Sequence, residues 1–133
     1  METKGAKKIK IKFPSHNFEL ECVFNDTQIA KKIFEILPQQ AKVKTWGEEI
    51  YFELPLKLDN EKPTVDVEIG DVGWWPEGNC FCIFFGRTPI STTDKPKPYS
   101  EVTIIGKIKL DKNIIDKLKQ IKVNTKVVLE QIK

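Results

Sequence analysis

The chain has 133 residues, 40% hydrophobic and 31% charged, with a formal net charge of +3. That is enough for one domain over residues 1–133, and too ordinary a composition for a disordered or fibrous chain. No run approaches the roughly 20 apolar residues of a membrane span, and the lysine-rich start, residues 1–12, has no apolar run behind it and does not read as a secretory signal.

Three cysteines, an odd number, argue against a disulfide framework and for a reducing, cytoplasmic setting. The charge is unevenly placed: residues 1–12 and 107–133 hold +4 and +5, which leaves the aromatic-rich middle at −6. Nucleic-acid binders gather Lys and Arg around their site, so no nucleic-acid partner is expected, and no membrane partner. Of 22 basic residues only Arg87 is an arginine. That bias suits an AT-rich or thermophilic source. It also singles out Arg87, whose flat five-donor guanidinium does what an ammonium cannot.

In chain order, KIKIKF (8–13) and FELECVF (18–24) alternate strictly and are joined by turn chemistry at 14–17. They predict a hairpin with Ile9, Ile11, Phe13, Phe18, Leu20, Cys22 and Phe24 inward, and Lys10 and Lys12 across from Glu19 and Glu21. A helix follows over about 26–37, capped by Asn25 or Asp26, with Ile29, Ala30, Ile33, Phe34 and Leu37 on one stripe and Pro38 as its stop. Period two returns at 41–46, again at 49–54, and again at 65–69, where Val65, Val67 and Ile69 alternate with Asp66 and Glu68. A short strand at 72–75 leads through Pro76-Glu77-Gly78-Asn79 into CFCIFF (80–85), apolar on both faces and so a central, doubly covered strand. Strands at 102–109 and 126–132 flank a second helix at about 112–120. About eight short strands with two helices predict a mostly β, closed barrel.

Candidate chemistry gathers in the middle of the chain. Segment 86–100, GRTPISTTDKPKPYS, fits neither strand nor helix, and structureless loops of that length are often binding loops. Within it, Arg87, Thr88 and Ser91 form a set able to hold a carboxylate or phosphate. Trp46, Trp74 and Trp75 sit at strand ends; Trp74 and Trp75 must face opposite sides of a strand, one into the core and one into a cleft. Tyr51 and Phe85 can stand near them, and aromatic faces bind proline rings and flat apolar groups. Glu48 and Glu49 also point opposite ways, and a carboxylate drawn in beside Trp46 would have a raised pKa and acid–base capacity. The pair Cys80 and Cys82 shares one strand face without a His or CxxC partner, so no metal is expected, and small core residues explain both. His16 stands alone in a turn. No hydrolase elbow, phosphate loop or dinucleotide fingerprint occurs, so no cofactor is expected either.

Four segments in order, WGEEIYFELP (46–55), GDVGWWPEG (70–78), FCIFFGRTPIS (81–91) and VTIIGKI (102–108), resemble the small prokaryotic cyclophilin-like proteins. The likeness runs over roughly residues 9–110, with Leu37-Pro38, Gly47 and Thr88-Pro89 falling where that pattern has them. It implies the cyclophilin-like closed barrel with helices at its two ends. It does not imply prolyl isomerase activity: catalytic cyclophilins carry an FHR-type segment shortly before a GGD turn, whereas TVDVEI (64–69) precedes Gly70-Asp71 here. The reading is therefore a barrel that binds a small molecule or a proline-containing peptide through Trp46, Glu48, Tyr51, Trp75, Phe85, Arg87, Thr88 and Ser91. Arg87 takes the ligand's anionic or carbonyl end. The alternatives are a prolyl isomerase using Arg87, with Glu48 a second catalytic candidate, and an assembly protein with Trp75 at a contact.

Overall fold

Strict alternation of apolar and polar residues builds the first two strands of the computed structural model, which describes residues 7–132; the start of the lysine-rich segment, residues 1–6, lies outside them. Strands β1 (Lys8–Phe13) and β2 (Phe18–Phe24) pair antiparallel around a 3-10 turn, with Lys10 opposite Glu21 and Lys12 opposite Glu19. Their alternate apolar residues are buried from Ile9 to Phe24, Phe18 only partly. On the outer face Lys10 pairs with Glu19 at 3.1 Å, while Lys12 reaches Glu130 of the last strand at 2.9 Å. Exposed pairs of this kind contribute about 0–1 kcal/mol each; the buried face holds the hairpin.

Helix α1 (Gln28–Ile36) buries Ile29, Ala30 and Ile33 in the same core. Its cap is Thr27, not Asn25 or Asp26. The Thr27 hydroxyl accepts from the Ala30 amide at 3.2 Å, the reach that an N-cap side chain needs. Asn25, two residues earlier, instead accepts from the Thr27 amide and hydroxyl and donates to the Ile104 carbonyl. The carboxylate of Glu61 accepts from the amides of Gln28 and Ile29 at 3.0 and 2.9 Å, placing negative charge at the positive end of the helix.

The expected strand at 41–46 is two pieces, β3 (Gln39–Lys42) and β4 (Lys44–Thr45). This break closes the barrel. The remaining strands are β5 (Glu49–Glu53), β6 (Asp71–Trp75), β7 (Cys80–Phe84), β8 (Thr103–Ile108) and β9 (Lys126–Ile132), with α2 (Lys112–Leu118) before β9. The sheet order is β3-β9-β1-β2-β8-β6-β7-β5-β4. Its two edges, β3 and β4, are successive parts of one segment separated only by Val43, so the nine strands make a nearly closed, mostly β barrel. Buried Val43 donates to the Thr125 carbonyl at 2.9 Å and accepts from the Asn124 amide at 2.8 Å, which pins the junction.

Residues 65–69 form no strand, contrary to their alternation. Both flanks of β8 are taken by β2 and β6, and the one bridge nearby, Thr64–Val102, falls just before the segment and just before β8. Val65 and Ile69 remain 48% and 44% exposed, and only Val67 is buried. Asp66 and Glu68 instead grip Lys95 of the long loop at 2.7 and 2.6 Å.

Two apolar layers result. Ile50, Phe52, Val72, Trp74, Phe81, Ile83 and Ile105 fill the barrel. Cys80, Cys82, Phe84, Val67 and Val102 form a second layer, with Tyr51, Trp75 and Ile104 packed against it. Since Cys80, Cys82 and Phe84 alternate with Phe81 and Ile83, this second layer lies outside the barrel. Strand β7 is buried along its whole length, as its two-faced apolar pattern predicts.

Candidate functional site

Period two decides which side chains reach the outer face. On β5 it sends Ile50 and Phe52 inward and Glu49 and Tyr51 outward. On β7 Cys82 lies opposite Tyr51, and on β6 Trp75 lies opposite Cys80. Trp46 follows β4 at a turn through Gly47, whose φ of +61° suits glycine. The turn is tight: the Trp46 amide donates to the Glu49 carbonyl at 3.0 Å. Pro98 and Tyr99 of the long loop, with Val102, complete the wall of a cavity of about 160 Å³.

Four rings shape this cavity. Trp46 and Tyr99 have centroids 6.1 Å apart at 78°, Tyr99 and Trp75 6.1 Å at 82°, and Trp75 and Tyr51 6.3 Å at 87°. Consecutive rings thus meet edge-on, as the walls of a box meet, and in the favoured quadrupole geometry. The indole N–H of Trp75 donates to the Ser100 hydroxyl at 2.6 Å, which fixes that ring against the loop. Trp74, its neighbour, is fully buried on the other face, with its own N–H on the Leu58 carbonyl at 3.0 Å.

The box contains one carboxylate. Glu49 is 6% exposed, and no Lys or Arg of the described residues is ion-paired with it. Burial raises its pKa to about 7, offset in part by a hydrogen bond from the Cys82 thiol. Burial likewise pushes the Tyr51 hydroxyl up, with the Glu49 charge adding to it. It also lifts Cys82 well above the ordinary thiol range and Cys80 to about 11, so both remain protonated and neither is an activated nucleophile.

Three of the residues expected from sequence, Trp46, Tyr51 and Trp75, meet in this cavity; five others do not line it. Glu48 faces away from Glu49, pairs with Lys119 at 3.1 Å and accepts from the Arg87 amide. Phe85 is buried in the barrel core. The Arg87 guanidinium donates to the Ser91 carbonyl at 3.2 Å within its own loop. Thr88 and Ser91 are fasteners: the Thr88 amide donates to the Ser91 hydroxyl at 2.9 Å, and the Thr88 hydroxyl donates to the Lys97 carbonyl at 2.6 Å. Thr88 thereby positions the chain just before Pro98 and Tyr99. Thr88→Val, which keeps bulk and loses the hydroxyl, is expected to cost about 1–2 kcal/mol in urea unfolding. It should also lower hydrogen-exchange protection at the Lys97 amide, which donates to the Thr88 hydroxyl; unchanged protection would show that something else holds the loop.

Sequence reasoning missed Glu49, Cys82, Pro98, Tyr99 and Val102 as lining residues. A usable signal existed for Glu49, which is two residues from Tyr51 and so must share its face.

The cyclophilin-like family model matches residues 7–130, almost the whole chain. The chain belongs to the cyclophilin-like family. Among solved structures, this cyclophilin-like protein is similar to the solution structure of a hypothetical protein from Archaeoglobus fulgidus. The two are 32% identical, with 99% of this chain and 100% of the other covered and a TM-score of 0.78. No curated protein matches the chain.

Proposed function

We infer that this cyclophilin-like protein is a binding module whose outer-face cavity takes a small molecule or one side chain of a short peptide. One observation carries the reading. Trp46, Tyr51, Trp75 and Tyr99, brought from separate parts of the chain, surround open space of about 160 Å³ instead of packing against one another face to face. At roughly 30 Å³ per water in the liquid, that space holds about five water-sized groups. Tyr99 is 70% exposed, an unusual position for a large ring unless it forms a mouth. A proline ring and a compact alkyl group both fit the chemistry of such walls.

The isomerase reading depends on a guanidinium over the prolyl amide. The sequence has one arginine, and Arg87 lies outside this cavity, tied to the Ser91 carbonyl. Binding is therefore the function the geometry supports.

The test is an amide-shift titration of labelled protein with a proline-containing peptide and three compounds of one shape: choline, its neutral carbon isostere tert-butylethanol, and the anion of tert-butylacetic acid. Saturable shifts at Glu49, Tyr51, Trp75, Cys82 and Val102 are expected with at least one of them. Tyr99→Ala should abolish them, since it removes an exposed wall without touching the barrel core. If no probe moves these amides, the binding reading is overturned.

A further inference from the structure

Among the side chains that line the cavity, the rings and the single carboxylate each limit the charge of what can bind. An aromatic face presents the negative end of its quadrupole, so it attracts a cation within about 6 Å of the centroid, and Trp does so best. A carboxylate taken out of water is stabilised by a cation and destabilised by an anion or an unpaired apolar neighbour. Both effects have the same sign. The arginine expected to receive an anionic ligand end is elsewhere, and no cationic side chain lines the box.

We propose that the ligand carries an alkylated ammonium head, seated among Trp46, Tyr51, Trp75 and Tyr99 with the Glu49 carboxylate beside it. This rests on the binding reading above and gives it a substrate class. The preference for alkylation follows from hydration. A primary ammonium is a strongly hydrated point charge with three donors to satisfy. The cavity offers it one carboxylate, with Pro98, Val102 and the rings making up most of the rest. A head with methyl groups in place of N–H donors leaves fewer hydrogen bonds unmade and fills the corners of the box with carbon. Its size also matches, since a trimethylalkylammonium head has five heavy atoms.

Glu49 must be ionised to pair with such a head, and burial places its pKa near 7. The groups that share its surroundings are Tyr51 on the same strand, Cys82 and Cys80 on β7, Tyr99 in the loop and Lys44, which lies across from Tyr51 on β4. The two thiols and the Tyr51 hydroxyl are pushed upward and stay neutral through this range, so the Glu49 proton is the one released on binding. Affinity for the cation should then rise with pH through about 7.

The experiment is a titration of the intact protein at pH 8 with choline and with tert-butylethanol, which differ by one charged nitrogen. Choline should bind about tenfold tighter or more, and the margin should shrink at pH 5 and in Glu49→Gln. Equal or tighter binding of tert-butylethanol, or of the tert-butylacetic anion, overturns the cation assignment while leaving the cavity a binding site. Absence of shifts with every probe overturns both readings together. A peptide carrying trimethyllysine identifies the source of the head group. If it binds tighter than choline, the head belongs to a modified side chain; if choline binds as well, it belongs to a free small molecule. Either result supports the head group itself.

Discussion

Glu49→Gln is expected to raise the melting temperature at pH 8 and to leave it unchanged at pH 4. The sign follows from linkage. The carboxyl has a pKa of about 7 in the folded protein against 4.5 as its ordinary value, so the folded state holds the proton more tightly. Stability from the neutral form is fully present below about 4.5 and is lost as the pH climbs through about 7. Glutamine keeps the shape of the neutral form at every pH, so the variant keeps what the native protein loses. A shift from 4.5 to about 7 corresponds to about 3 kcal/mol, or on the order of 10 °C in melting temperature for a chain of this size. A gain of the same size at pH 4 and pH 8 would mean that charge is not the cause. A loss at pH 8 would mean that the ionised carboxylate has a stabilising partner in the fold. A gain confined to pH 8 would mean that the native carboxylate weakens the fold at neutral pH, as acids at functional sites often do.

The barrel was legible in the sequence because period two survives wherever one face of a strand is buried. Residues 8–13, 18–24 and 49–53 all show it and all form strands. The same pattern failed at 65–69, where alternation exists but both flanks of β8 are already taken by β2 and β6. The cavity was only half legible. Trp46, Tyr51 and Trp75 stand on or beside strands, so their sides could be inferred. Glu49 is two residues from Tyr51 and so shares its face, whereas Glu48 lies in the turn before β5, where period two no longer assigns a side. Arg87 misled for a different reason: its rarity says something about its chemistry and nothing about its position. Position in 86–100 is set by hydrogen bonds from Thr88 to Ser91 and Lys97, and such bonds leave no period in the sequence. Tyr99 was hidden for the same reason. It lies 53 residues from Trp46 in the chain and meets it only because that loop folds back over the outer layer.

Phe81→Ala and Cys82→Ala, adjacent on β7, should have sharply different effects. Phe81 is fully buried inside the barrel, stacked on Phe52 at 5.1 Å and 22° and tilted against Phe24 at 6.5 Å. Truncating it removes an aromatic side chain from a packed interior and leaves a cavity, which costs about 3–5 kcal/mol. Small proteins have only about 5–15 kcal/mol in total, so the urea midpoint should fall by a large fraction. Phe81→Leu, which fills more of that space, should recover part of the loss and keeps the comparison usable if the alanine variant does not fold. Cys82 is equally buried but belongs to the outer layer, where it faces Glu49. Losing one sulfur there should cost far less stability than losing the ring, while the Glu49 carboxyl, deprived of its thiol donor, should titrate higher than in the native protein. If Phe81→Ala altered the titration of Glu49 and Cys82→Ala the urea midpoint, the two faces of β7 would have to be exchanged. The cavity would then lie inside the barrel and not on its outer wall.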